Sequence, residues 1–371
     1  MAVRLKNLTL RGFKTIRELS DFQPRPINIL LGANGAGKSN FISFFRLMSW
    51  MMATPGELQR HVADNRGAHA LLYDGPEVTR EIEASLTLET EKGENDYSFR
   101  LFYAAGDTLL FADERYRFSR TGVPTRVPWR ELGAGHREAR LIEWAESGDV
   151  TARTVLSLLR RCIVHQFHNT SATARVRGKW NLHDSRWLKE DGANLAPFLL
   201  RLRDEAAPYY RRIVETLRLI LPFFADFELV DTQGSVLLQW RERGSDMVFD
   251  VSQASDGMLR TMALVALLGQ PEDDLPEVLV LDEPELGLHP YAIEVVAGML
   301  RAASCHAQVL VATQSTAFVD RFDLDDILVV DRPDRESVFR RFSTEEYQEW
   351  LDEYAVSELW EKNVLGGRPG R

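Results

Sequence analysis

Two segments of this 371-residue chain carry residue types arranged for phosphate chemistry: Gly32-Ala33-Asn34-Gly35-Ala36-Gly37-Lys38-Ser39, and Leu279-Val280-Leu281-Asp282-Glu283-Pro284, whose Asp282 lies 244 positions after Lys38. Glycines at 32, 35 and 37 let a loop turn successive backbone N–H groups onto phosphate oxygens, helped by the positive end of a following helix. Lys38 would then reach the β- and γ-phosphates, and the Ser39 hydroxyl would complete a Mg²⁺ shell. Asp282 would hold that ion through water, and Glu283 would polarise the water that attacks the γ-phosphate. The other reading of Glu283, a solvated loop carboxylate, is opposed by Pro284, which fixes the turn just after it.

The elements needed to position these groups are legible around them. Ile27 to Leu31 is a short apolar run rich in β-formers, and Phe41 to Phe45 opens a buried helix, so the glycine loop has the strand, loop, helix context of a P-loop. Val278 to Leu281 reads as a buried parallel strand ending in the acidic pair, at the sheet edge where ligands of open α/β sheets bind. A third piece, Ser252-Gln253-Ala254-Ser255-Asp256-Gly257-Met258, runs into an apolar helical stretch from Leu259 to Leu268. Ser255 and Gly257 at that helix start form either a second phosphate site or an ordinary N-cap.

Taken together, GANGAGKSN, ASDGMLR, LDEPELGLHP and VATQS resemble the RecF, SMC and OLD group of ABC-type ATPases, which work on DNA or in defence. The chain is most similar to stand-alone bacterial RecF-like predicted ATPases, from its opening LTLRGFKTI to its closing ELWEKNVLGGRP. The resemblance implies ATP and Mg²⁺ as cofactors, with Gly32 through Asn40 as the nucleotide loop. It implies a homodimer in which Ser255 and Gly257 contact the γ-phosphate held by the other protomer's Lys38. Gly287-Leu288-His289-Pro290 corresponds to the D-loop between paired sites, which makes His289 an interface residue rather than a metal ligand. Gln314, in Thr313-Gln314-Ser315, stands at the switch position where many relatives carry histidine. Glutamine can donate to a phosphate but cannot become charged, which implies slow or partner-dependent turnover.

Two further assignments stay open between a family role and a plain one. Gln166, after the strand-like Ile163-Val164-His165, is either the Q-loop glutamine that joins the metal shell or a strand residue facing solvent. Arg11 and Lys14 are either the basic element with which SMC-like heads touch nucleotide or two solvated side chains on a hairpin.

The expected fold is α/β: an ABC-type P-loop ATPase head with a mixed central sheet, flanking helices, an antiparallel β lobe and a helical insertion. Residues 1–120 would form the amino-terminal lobe, 121–225 the insertion, 226–342 the carboxy-terminal lobe, and 343–371 a closing helix and tail. Alternation from Glu81 to Phe118 predicts antiparallel strands with Glu94-Asn95-Asp96 as a turn. Ala139 to Ala145, Ala152 to Cys162, Asn194 to Asp204 and Tyr209 to Leu221 are candidate helices; Asp226 to Val230, Ser235 to Arg241 and Met247 to Val251 are candidate strands. No sustained heptad run fills the long gap, so the insertion is globular rather than a coiled-coil arm.

Composition narrows the function classes. A 44% hydrophobic content supports a sizeable core, while a mean hydropathy of −0.24 and the lack of an 18-residue apolar run argue against a membrane span and for a cytoplasmic location. Cys162 and Cys305 are too few and too distant for a disulfide framework or zinc hook. A net charge of −10 excludes a generally basic nucleic-acid surface, yet the stretch from Arg153 to Arg218 holds thirteen Lys/Arg against six Asp/Glu. Arg175, Arg177 and Lys179, with Trp180 and Trp187 nearby, could track DNA, or could be solvated helix faces and interface residues. Only about 40 residues follow Asp331, too few for a nuclease domain, so a nuclease or Toprim effector would be a separate partner. The acidic Glu345, Glu346, Asp352 and Glu353 read as the solvated face of an amphipathic helix, and Leu359 to Gly367 as a docking tail or a packed terminus. The reading is a dimerising Mg-ATPase for DNA repair or anti-phage defence, with a low-turnover nucleotide-gated scaffold as the alternative. A transporter motor is disfavoured by the long insertion and by Ser-Asp-Gly in place of the usual transporter signature.

Overall fold

The structure is a computed structural model that describes residues 3–123 and 127–367; the first two residues and the last four of the closing segment, expected to belong to the lobe and the tail, lie outside the described residues. Along the chain, β1 (Arg4–Phe13) and β2 (Ile16–Phe22) form a hairpin, and β3 (Ile27–Leu31) feeds the glycine loop and α1 (Lys38–Ala53), followed by α2 (Glu57–Asp64). Strands β4 (Glu81–Thr90), β5 (Gly93–Ala104), β6 (Thr108–Arg120) and β7 (Arg130–Glu131) precede α3 (Leu141–Glu146), α4 (Val150–Arg160), β8 (Cys162–His165) and β9 (Trp180–Asn181). Next come α5 (Leu195–Glu205), α6 (Ala207–Ile220), β10 (Phe224–Phe227), β11 (Ser235–Val236), β12 (Gln239–Glu242), β13 (Val248–Asp250) and α7 (Asp256–Gly269). The last stretch alternates: β14 (Val278–Asp282), α8 (Pro290–Ala303), β15 (Gln308–Thr313), α9 (Thr316–Val319), β16 (Ile327–Asp331), β17 (Val338–Arg341), α10 (Gln348–Leu351) and α11 (Val356–Glu361).

Two six-stranded sheets organise these elements. The lobe sheet is antiparallel in the order β2-β1-β4-β5-β6-β7; the central sheet runs β17-β16-β3-β15-β14-β8, parallel except for β17. Parallel strands covered on both faces read as continuous apolar runs, and their alternate side chains here feed two cores. Leu279, Leu281, Val309 and Val311 join the core of α5 to α8, whereas Val278, Val280, Leu310 and Ala312 join that of α1 to α4 and the lobe. The span 121–225 accordingly divides: α3 and α4 pack with the lobe, α5 and α6 with the helix α7.

Local corrections follow from pairing partners. Glu94-Asn95-Asp96 is not a turn. The chain turns at Glu91-Lys92, and Asn95 and Asp96 are buried within β5, where Asp96 accepts from Thr87 Oγ1 at 2.6 Å and Arg117 Nε at 2.5 Å. The strand expected at Ser235 to Arg241 is split, because β11 pairs with β9 while β12 sits between β10 and β13. Glu345 and Glu346 are exposed before the short α10 rather than on a helix. Leu359 and Leu365 are buried in the α5–α8 core, so this part of the closing segment is packed.

Candidate functional site

The glycine loop leaves β3 and closes on α1, with Phe41 N donating to Gly37 O at 3.0 Å. Any side chain at Gly37 would be strained: its φ is 112°, and a Cβ there would lie 1.9 Å from Ser337 Oγ, which would have to move. Ser337, itself 1% exposed, donates to Ala36 O at 2.8 Å and accepts from Thr15 Oγ1 at 2.7 Å, while Asn40 Nδ2 donates to Thr15 Oγ1 at 2.8 Å. The loop is therefore clamped from the β1–β2 turn and from the segment before β17. Lys38 Nζ donates to Gly32 O at 2.5 Å and Ala33 O at 3.1 Å. Burial holds the Lys38 pKa below its ordinary value, opposed by the charges of Glu283, Asp282 and Glu285.

Asp282 ends β14 beside Lys38, and burial raises its pKa. Gln166 reaches it from beyond β8, with Nε2 donating to Asp282 Oδ2 at 3.0 Å. His168 lies 2.8 Å from Asp282 O through Nε2 and 3.0 Å from Gln166 Nε2 through Nδ1. Arg46, two turns along α1, donates to Gln166 Oε1. Gln166 thus lies against Asp282 rather than facing solvent from a strand; its oxygen faces Arg46, and the amide would have to rotate to offer oxygen to a cation beside Asp282.

Glu283 adopts φ 43°, left-handed for a non-glycine residue, held by its N–H donating to Ala312 O at 2.8 Å. Two residues on, Glu285 is 7% exposed, and burial pushes its carboxyl up to about 7. It accepts a hydrogen bond from Thr313 Oγ1 at the end of β15. Gln314 follows, exposed, and Ser315 caps α9.

Elsewhere the expected residues separate. Arg11 is engaged on the exposed lobe face by Glu18 at 3.1 Å and Glu83 at 3.3 Å, in line with the hairpin reading of its side chain. Lys14 instead is half-buried, and burial together with the nearby Arg46 charge lowers its pKa. Two cations in mutual reach beside the loop form a setting that favours an anion. Ser255 is the N-cap of α7: its exposed hydroxyl accepts from Met258 N at 3.2 Å. Gly257 packs so closely on the D-loop that a Cβ would sit 2.8 Å from Gly287 O. His289 caps α8, accepting from Tyr291 N at 3.4 Å. Arg260 joins these segments, donating to Leu286 O at 3.2 Å and His168 O at 3.0 Å.

The basic patch loses one member. Arg177 is consumed by the carbonyls of Thr170, Val251 and Ala254 and by Asp256, so it fastens the segment before α7 rather than facing a nucleic acid. Arg175 pairs with Asp191 at 3.1 Å and lies over Trp180, while Lys179 is exposed.

Sequence reasoning missed Ser337, Arg46, His168 and Glu285, which act through tertiary contacts; Glu285 alone had a local signal, a third carboxylate after the Asp-Glu pair. Among the described residues no three His, Cys, Asp or Glu side chains could cage a metal. Mg²⁺ needs no such cage: one carboxylate, a hydroxyl and substrate phosphates suffice, and Asp282 and Ser39 would supply the first two. No helix among the described residues is long and apolar enough to cross a membrane.

The family model described as "AAA domain, putative AbiEii toxin, Type IV TA system" matches residues 27–320, well over half of the chain. No curated protein matches in sequence. Among solved structures, the Smc head bound to the C-winged helix domain of ScpA superposes with a TM-score of 0.61 at 14% identity, covering 93% of this chain and 99% of that one. An Smc head with an extended coiled coil from Pyrococcus furiosus, bound to the C-terminal domain of ScpA, gives 0.59 at 14% identity over 95% and 99%. One with a coiled coil and joint from Pyrococcus yayanosii gives 0.55 at 12% over 95% and 99%. At such identities the likeness speaks for the fold, and it is that of SMC ATPase heads. With the family match over residues 27–320, the chain belongs to this AAA-domain family and has the fold of SMC ATPase heads.

Proposed function

We propose that this chain binds Mg²⁺-ATP between Lys38 and Asp282 and hydrolyses it when two copies engage head to head, as a switch in anti-phage defence or DNA repair. The observation that carries the reading is the convergence of Lys38, Asp282, Glu283 and Gln166 on one end of the central sheet, while Ser255 presents an exposed hydroxyl at the start of α7. Gly32 to Asn40 would hold the phosphates, with Lys38 on the β- and γ-oxygens and Lys14 adding positive charge. Ser39 and Asp282 would hold Mg²⁺, joined by Gln166 after its amide turns away from Arg46. When bound, the ion neutralises and polarises the transferring phosphoryl group. Glu283 would orient the attacking water, and Ser255 and Gly257 would complete the site of the second copy.

A system-level role in defence is supported by the family description, which refers to a toxin of a type IV system. A separately encoded effector, such as a nuclease, is the output we assign to the switch. DNA contact through the segment near Trp180 would rest on Arg175 and Lys179, since Arg177 is engaged within the chain.

The test is sizing of Glu283→Gln with and without Mg-ATP. A nucleotide-dependent dimer is expected; a monomer under both conditions would reject the sandwich. The second reading, a low-turnover scaffold, is favoured by the uncharged, exposed Gln314. Wild-type turnover equal to that of Lys38→Ala would replace the ATPase with the scaffold.

A further inference from the structure

We infer that Glu285 is a positioning residue for Gln314, acting through the Thr313 hydroxyl, which deepens and rests on the ATPase reading above. Thr313 is fully buried at the end of β15, and its Oγ1 has two partners: it donates to Glu285 Oε1 and accepts from Ser315 N at 2.9 Å. Ser315 in turn accepts from Phe318 N at 3.3 Å. Gln314, exposed, is therefore suspended between two anchored neighbours, and the direction of the Thr313 hydroxyl decides where that anchor lies.

A hydroxyl has one proton to give, and the carboxylate fixes where it goes. With Glu285 taking the proton, the Thr313 lone pairs face the Ser315 N–H. Without an acceptor at 285, the hydroxyl is free to rotate and the bond to Ser315 loses its orientation. Glu285 Oε2 is buried with no hydrogen-bond partner, a cost that an apolar side chain would avoid. A polar group kept at such a cost, on the same short turn as Glu283, is explained by the loop it holds. Glu283 N to Ala312 O, at 2.8 Å, is the other tie between these two strand ends, so the pair fixes Gln314 relative to Glu283. The same residue touches the D-loop, because Leu288 N donates to Glu285 O at 3.0 Å.

The experiment compares Thr313→Val, Thr313→Ser, Glu285→Leu, Glu285→Gln and the Thr313→Val/Glu285→Leu double variant in the full chain. Turnover with Mg-ATP, affinity for a fluorescent ATP analogue, and amide exchange at Ser315 are the readouts. Thr313→Val and Glu285→Leu should each lower kcat roughly tenfold while analogue affinity stays within about twofold. Thr313→Ser, which keeps the hydroxyl, and Glu285→Gln, which keeps a carbonyl acceptor, should recover most of the rate. The double variant should be no slower than either single, as residues acting through one bond are non-additive. Unchanged kcat in Thr313→Val, additive losses, or a Thr313→Ser variant as slow as Thr313→Val would each overturn the inference. Should the wild type show no turnover, the ATPase reading fails, and exchange at Ser315 still decides the link. Faster exchange in both Glu285→Leu and Thr313→Val supports it, and unchanged exchange in Glu285→Leu refutes it.

Discussion

The carboxyl end of the central sheet and the start of α7 are built to opposite rules. At the sheet, Lys38 and Asp282 are 6% and 8% exposed, and the surrounding polar groups are held by partners from other elements, Ser337 on the loop and Gln166 on Asp282. At α7, Ser255 is exposed and, among the described residues, its side chain is engaged only by its own helix, through Met258 N. In the dimer we propose, the preorganised charge at one surface and the open cap at the other would be the two halves of one site.

That contrast can be broken most forcefully at the sheet. Lys38→Ala and Glu283→Gln should each reduce ATP turnover by roughly 10²–10³, measured by phosphate release, with little loss of folding. Ser255→Ala should reduce turnover about tenfold or more but cost only about 1 kcal/mol as a lost N-cap; a urea melt and a rate assay on one sample separate the two effects. Equal, small changes in both would make Ser255 an ordinary cap.

A smaller effect sharpens the view that the segment before α7 is fastened from within. Arg177→Ala should destabilise the fold by about 1–3 kcal/mol in urea, because it strips donors from Val251 and Ala254, whereas Lys179→Ala should leave stability unchanged. The smallest concerns pH. Burial holds the Glu285 carboxyl near 7, above its ordinary 4.5, so its contribution is complete below pH 4.5 and is lost as pH rises through 7. Melts from pH 5 to 8 should therefore show Glu285→Gln gaining on the wild type by on the order of 1 kcal/mol; parallel curves would remove the raised carboxyl.

How much was legible follows from where the partners sit. The P-loop, the Asp-Glu pair and the strand before them were readable because strand, turn and helix signals lie within about ten residues of each other. Gln166 was readable only as an option, since its contact to Asp282 spans 116 positions. Ser337 meets Ala36 across 301 positions, and nothing near Ser337 marks it as a clamp on a phosphate loop. The engagement of Arg177 was hidden for the same reason: three of its four partners are carbonyls, which leave no trace in composition. Glu94-Asn95-Asp96 carries the polarity of a turn without its exposure, because Thr87 and Arg117 satisfy Asp96 inside the sheet. Gly93, with φ 149°, marks the end of the real turn.

The most direct test of the shared site mixes two inactive proteins. Lys38→Ala lacks its own loop lysine, and Ser255→Arg blocks the helix start it would offer a partner; each alone should be inactive. A mixed dimer contains one intact composite site, so mixing should restore turnover to at most about a quarter of wild type, the fraction expected from random pairing. A mixture as inactive as its components at every ratio, with mixed dimers demonstrated by sizing, would contradict the account.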